Sequence, residues 1–337
     1  MHSVAATAKT AISRRAVLGG LTAGTIMAGV PGQAGAAIVN LVVVGQDGWL
    51  FPIWEEVRRL DPNRIRQTTD LLNGAVEILR RAGIEVAIAL LPAKARIYRA
   101  ALPEDFRFTA QTEQRYAMAL EALRKSGALV PDLAAPLQRL HAAQPATPLF
   151  FKGDTHWTAA GAECAATEVA SQIKQKFRLP PAPQGGTRLG APVMALQEKN
   201  DLVAMLPLSE APKYRLESFP VRRPLQQGGT ALVEDDSADV AVVGNSFLQP
   251  LFGFAPVLSN QLDRPVSLTW KVHQYGPYQT LLSCLGSDAF RRRRPKLVVW
   301  AMLEIDMSNP SDRRDVWGPN AMPPAAFLQE LRRVVGG

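Results

Sequence analysis

Two short stretches of this sequence carry residues whose types and spacing suit acyl transfer. Gly153-Asp154-Thr155-His156-Trp157 offers a carboxylate and an imidazole two residues apart, and Val240-Ala241-Val242-Val243-Gly244-Asn245-Ser246-Phe247 offers a hydroxyl where an apolar run ends. A serine nucleophile needs an imidazole to take its proton, and the imidazole needs a carboxylate to hold its tautomer and stabilise its charged form. On a helix, residues two apart point away from each other, so Asp154 and His156 can work together only on an extended loop. Taken singly, each stretch also has an ordinary explanation: Gly-Asn-Ser is a common turn, and the Asp and His read as a surface acid and a histidine bonded to backbone.

The surrounding pattern says what must position these groups. Ser246 follows the apolar run Val240–Val243, so it falls at a strand-to-helix turn, where backbone N–H groups can hold a developing oxyanion. Thr158 is a good N-cap for an alanine-rich helix to Phe177, which leaves His156 on the loop entering that helix. Upstream, Ile38–Val44 reads as a buried strand. Asp61-Pro62 opens a helix that runs to Arg81 and stops at Gly83, and Ile84–Leu91 is a strand ended by Pro92. Thr109–Lys125 is a helix stopped by Gly127, and Ala128–Leu133 a short strand. Downstream, Phe247–Leu262, Tyr278–Phe290 and Ala325–Val334 read as helices, and Val266–Val272 and Lys296–Met302 as strands. This alternation predicts an α/β fold: one domain over 37–337, five or six strands, a mainly parallel sheet and a site at strand C-terminal ends. Residues 178–238 hold eight prolines and few periodic runs, which reads as an irregular insertion of the kind used as a binding surface.

Residues 1–36 read as an export signal. Lys9, Arg14 and Arg15 precede a 15-residue apolar run, Ala16–Val30, and Ala34-Gly35-Ala36 has the pattern of a cleavage site. Ser13-Arg14-Arg15-Ala16-Val17-Leu18 looks like a twin-arginine signal, which predicts a periplasmic protein, membrane-anchored if the signal is retained. The run falls short of the roughly 20 apolar residues a bilayer span needs. Loss of this segment lowers the net charge from +8 to +5, and no Lys/Arg stripe interleaved with aromatics points to nucleic acid. Arg291–Arg294, the densest basic cluster, reads as a solvated connector. Cys164 and Cys284 are either a disulfide or two buried thiols, and with no His or Cys pair at ligand spacing no metal site is expected.

Four motifs, taken in order, resemble the alginate O-acetyltransferase (AlgX/AlgJ-like) family of SGNH-hydrolase-like proteins. They are Gly45-Gln46-Asp47-Gly48-Trp49-Leu50-Phe51, Leu91-Pro92-Ala93-Lys94-Ala95-Arg96-Ile97-Tyr98, the Gly153–Trp157 stretch and Gly244-Asn245-Ser246-Phe247. The resemblance spans about residues 38–305 and implies a three-layer α/β/α sandwich. It implies Ser246 as nucleophile, His156 as base and Asp154 as orienting acid. It further implies a polysaccharide acceptor and an acetyl group that originates with a membrane-bound O-acyltransferase; beyond an acetyl donor, no cofactor is called for. The chain departs from the family in three ways: Asn245 stands where relatives often carry Asp or Thr, the C-terminal carbohydrate-binding module of some relatives is expected to be missing, and only Glu304 matches the acidic end of the last strand. Asn245, Trp157, Tyr275, Gly276 and Tyr278 are the candidate substrate contacts, the last three with His273 as a cleft wall. The same triad would serve a carbohydrate acetylesterase with water as acceptor, and a non-catalytic glycan-binding subunit of a secretion complex is the third reading.

Overall fold

Asp61 accepts the N–H groups of Asn63 and Arg64, and Pro62 supplies a preset first turn, so α1 (Pro62–Arg81) starts where the capping signals place it. The same logic holds for α3 (Ala110–Arg124), capped by Thr109, and α5 (Ala159–Lys176), capped by Thr158. The computed structural model describes residues 37–182, 184–225 and 238–336, so the export-signal reading and the run Glu234-Asp235-Asp236, whose acidic residues read as a solvated turn, lie outside the described residues.

At the centre is a parallel sheet in the order β4 (Glu85–Leu91), β9 (Leu297–Leu303), β7 (Val240–Gly244), β8 (Val266–Trp270). Alternate residues face opposite sides, as a strand dictates. Ala87, Ala89, Val242, Val299 and Ala301 join one core; Val86, Ile88, Val243, Trp300 and Met302 join the other. Burial on both faces is why β4, β7 and β9 read as near-continuous apolar runs, whereas edge strand β8 is half-buried throughout. The first core is covered by α4 (Ala134–Ala143), α5 and α6 (Phe254–Leu262). The second is covered by α1, α3, α7 (Pro277–Leu285) and α10 (Pro324–Gly336). Three layers result. Short helices α2 (Lys94–Ile97), α8 (Asp288–Arg292) and α9 (Arg314–Trp317) fill the connections.

Several expectations are corrected. The apolar run at Ile38–Val44 does not enter the parallel sheet: Asn40 adopts a left-handed φ of 57°, the chain reverses, and β1 (Ala37–Val39), β2 (Val42–Val44) and β3 (Leu50–Pro52) form a separate antiparallel meander. The 178–238 insertion is partly regular, with a hairpin of β5 (Leu189–Leu196) and β6 (Ser218–Pro224). Ala128–Leu133 shrinks to a single parallel bridge, Leu129 to Ala87, and α4 follows it with Asp132 accepting from the first-turn N–H groups. The Phe247–Leu262 helix begins only at Phe254, because Pro250 and left-handed Gly253 divide the segment into two 3-10 turns first. Likewise Tyr278–Phe290 breaks at Gly286 into α7 and α8. Both cysteines are free thiols: Cys164 on α5 and Cys284 buried on α7.

Candidate active site

Ser246 stands where β7 leaves the sheet. Gly244 makes that exit possible, since a Cβ there would lie 2.9 Å from the Ala301 carbonyl and 2.7 Å from Leu248. The Asn245 side chain then accepts the Phe247 N–H at 3.0 Å and holds the 3-10 turn Ser246–Leu248, leaving the Ser246 hydroxyl half-buried at the C-terminal edge of the sheet. Asn245, a candidate substrate contact, is itself buried and employed in this turn.

Asp154 and His156 lie on a loop closed by an antiparallel bridge between Phe150 and Trp157. The extended geometry turns both side chains the same way. Asp154 Oδ1 accepts the His156 backbone N–H at 2.8 Å and lies 2.6 Å from Nδ1, while Nε2 lies 2.8 Å from Ser246 Oγ. The carboxylate fixes the proton on Nδ1, so Nε2 is the acceptor facing the serine hydroxyl. Burial works against the Asp154 charge, but the hydrogen bond and charge of His156 and the Asp201 amide outweigh it and hold the carboxyl below the usual range. Rings of Phe247 and Phe252, 4.8 and 5.6 Å from the imidazole, exclude water from its faces.

Residues from the insertion complete the loop. Asp154 Oδ2 accepts the Asp201 N–H at 2.7 Å, and the Asp201 carboxylate sits 3.4 Å from Nδ1 while pairing with Lys199 at 2.9 Å. Glu217 accepts the N–H groups of Lys152 and Gly153. Gly153 has no room for a side chain, since a Cβ would lie 2.9 Å from Val203. A ring nitrogen of His156 and one carboxylate oxygen each from Asp154 and Asp201 fall within 4.8 Å of one another. Residue spacing gave no sign of that grouping, because Asp201 comes from 45 residues downstream of His156; the Nδ1–H points into it.

The other expected contacts divide differently. Trp157 is fully buried rather than open to substrate: Nε1 donates to the Phe247 carbonyl at 2.7 Å and the ring stacks on Phe254, so it ties the histidine loop to the serine turn. Tyr278 is also buried, in the core on the other face of the sheet against Trp317 and Phe327, because Pro277 starts α7 with Tyr278 facing inward. Gly276 (φ 80°) turns the chain over the Trp317 ring, and Tyr275 is half-buried beneath the Lys271 ammonium, 5.6 Å from its ring. Among the described residues, no hydrogen bond or ring contact joins any of these three to Ser246, His156 or Asp154. His273 instead pairs with buried Asp306 at 2.8 Å. Glu304 is a structural acid: it is buried and bound by Arg96 at 2.6 Å and Arg115 at 3.0 Å.

Comparison with known proteins agrees with this arrangement of elements. Residues 42–304 match the family model for the SGNH hydrolase-like domain of acetyltransferase AlgX. The probable alginate O-acetylase AlgJ of Pseudomonas syringae pv. tomato is 30% identical over 278 residues, covering 78% of this chain and 68% of that protein. Its counterpart in Pseudomonas aeruginosa is 28% identical, covering 80% and 71%. Among solved structures, the O-acetyltransferase domain of Pseudomonas putida AlgJ superposes with a TM-score of 0.70 at 27% identity, over 87% of this chain and 99% of that one.

Proposed function

The chain belongs to the AlgX-type SGNH hydrolase-like acetyltransferases, and from that membership we propose that it moves acetyl groups onto hydroxyls of an exported, alginate-like polysaccharide through an acetyl-Ser246 intermediate. The observation that carries this reading is the continuous hydrogen-bond line from Asp154 Oδ1 through His156 to Ser246 Oγ. In it, Nε2 takes the serine proton as Oγ attacks the donor carbonyl, and Asp154 stabilises the imidazolium. The imidazolium returns that proton to the leaving group. A sugar hydroxyl, its proton passed to Nε2, then attacks the acetyl-serine carbonyl; the Oγ–carbonyl bond breaks, the imidazolium returns the proton to Ser246 Oγ, and the sugar ester leaves.

The donor is a membrane-bound O-acyltransferase handing acetyl across to the periplasm, and residues 1–36 direct the chain there. The twin-arginine pattern supports export, and the relatives' names support the alginate pathway. No helix of the described residues is long and apolar enough to cross a membrane.

The test is mass spectrometry of uronate oligosaccharides incubated with the protein and an acetyl donor. Gain of acetyl by the wild type and its loss in Ser246→Ala, with the fold intact, is the expected result. Acetyl loss from pre-acetylated oligosaccharide without any gain would make the protein an esterase, and an unreactive Ser246 that nevertheless binds glycan would make it a binding subunit.

A further inference from the structure

Lys94 begins α2 inside the Leu91–Tyr98 motif, and its side chain is wholly buried. An ammonium carries three donors and no acceptor, and leaving it unpaired in the interior is costly. Here Nζ donates to three backbone carbonyls: Leu50 on β3 at 2.6 Å, Lys152 at 3.0 Å and Asp154 at 2.9 Å. The rings of Trp49 and Phe51 lie 5.2 and 5.4 Å from it, adding cation–π attraction. The backbone is held from the other side, where the buried Glu55 carboxylate accepts the N–H groups of Lys94 and Ala95 at 2.8 and 2.9 Å.

Given the acyl-transfer reading, on which this inference rests, we propose that Lys94 is a positioning residue: its ammonium pins the 152–154 loop to β3 and thereby aims the Asp154 carboxylate at His156. Lys94 touches no reacting atom, yet Asp154 presents its own carbonyl to Lys94 and its carboxylate to the imidazole. A neutral amine has only two N–H donors and would turn a lone pair toward one of the three carbonyls, so the grip needs the charged form. Burial drives Lys94 down from the usual lysine range to about 7, against the opposing charges of Glu55, Asp154 and Glu217. The titratable groups facing it are thus Glu55 ahead of α1, whose own carboxyl is pushed up to about 7 by burial, Asp154 on its loop and Glu217 from the insertion, with the Lys152 ammonium also over the Trp49 ring. Raising the pH through neutrality therefore loosens the loop, whereas serine–histidine chemistry alone asks only for a neutral imidazole.

The experiment follows p-nitrophenyl acetate turnover by the full chain. Lys94→Met keeps the apolar stem and removes the donors; we expect kcat to fall about 100-fold, the scale of a misplacement of about 1 Å, with KM unchanged. Added to Asp154→Asn it should cost nothing further, because both act through one carboxylate. Wild-type kcat in Lys94→Met, or a full multiplicative loss on top of Asp154→Asn, overturns the proposal. If Lys94→Met does not fold, the wild-type protein decides: the alkaline loss of kcat must coincide with deprotonation of Nζ followed by nitrogen-15 NMR, and a flat kcat across that titration overturns it. Turnover that survives in Ser246→Ala would instead sink the acyl-transfer reading itself.

Discussion

Asp154 is more heavily committed than a residue that merely sits near a histidine. It accepts the Nδ1–H, the His156 amide and the Asp201 amide, so its carboxylate has one orientation and one charge state at neutral pH. Asp154→Asn keeps the shape but can present an NH₂ to Nδ1, which favours the tautomer whose Nε2 carries the proton and cannot accept one from Ser246. Transfer kinetics on oligosaccharide should show kcat reduced by about 10⁴-fold, as for the equivalent change in serine proteases. Ser246, His156 and Asp154 could be picked out by residue type, since the chemistry needs those three groups, but each stretch alone has an ordinary explanation and their roles come from the family resemblance. Lys94 and Asp201 could not: a lysine reads as solvated surface, and the Asp201 contact depends on how a long insertion folds back.

At the scale of elements, capping residues and apolar periodicity made α1, α3, α5 and the parallel strands readable, because each is determined locally. What stayed hidden depends on single backbone exceptions. Asn40 turns an apolar run into a hairpin, and Pro250 with left-handed Gly253 replaces the first turns of the expected Phe247–Leu262 helix by two 3-10 turns, the first of which carries Ser246. The segment between β8 and α7 is anchored by His273 and Asp306. Burial opposes the charge on His273, but the charge and hydrogen bond of Asp306 outweigh it, raising the imidazole above its usual range. A raised folded value means the pair's contribution is fully present below the unfolded pKa of about 6.5 and disappears as pH rises through the folded value. Urea midpoints at pH 6 and pH 8 should therefore differ more in the wild type than in His273→Gln, with the variant's deficit concentrated at pH 6.

For the molecule as a whole, the antiparallel meander, the insertion and the parallel sheet are separate sheets whose residues meet at the 150–157 loop: Lys152 accepts from Leu50 of the meander, Asp154 accepts from Asp201 of the insertion, and His156 faces Ser246 at the end of β7. Glu304 is the other such junction. It leaves the end of β9, accepts the Ala93 N–H ahead of α2, and binds Arg96 of α2 and Arg115 of α3, while Arg115 also donates to the carbonyls of Glu55 and Glu56. Burial penalises its charge, yet Arg115, Arg96 and the Ala93 amide win and keep its carboxyl below the usual range. A depressed folded value means its stabilisation holds above the unfolded pKa of about 4.3 and is lost as pH falls through the folded value. Glu304→Gln leaves two guanidinium groups without their shared carboxylate in the interior, a loss of about 3–5 kcal/mol for a broken buried pair. In guanidinium unfolding this should appear as a lower midpoint at unchanged slope. The wild-type advantage over the variant should shrink toward acid pH, because protonating Glu304 abolishes the same charge. An advantage that persists undiminished in acid would mean that shape and packing, rather than charge, make this junction.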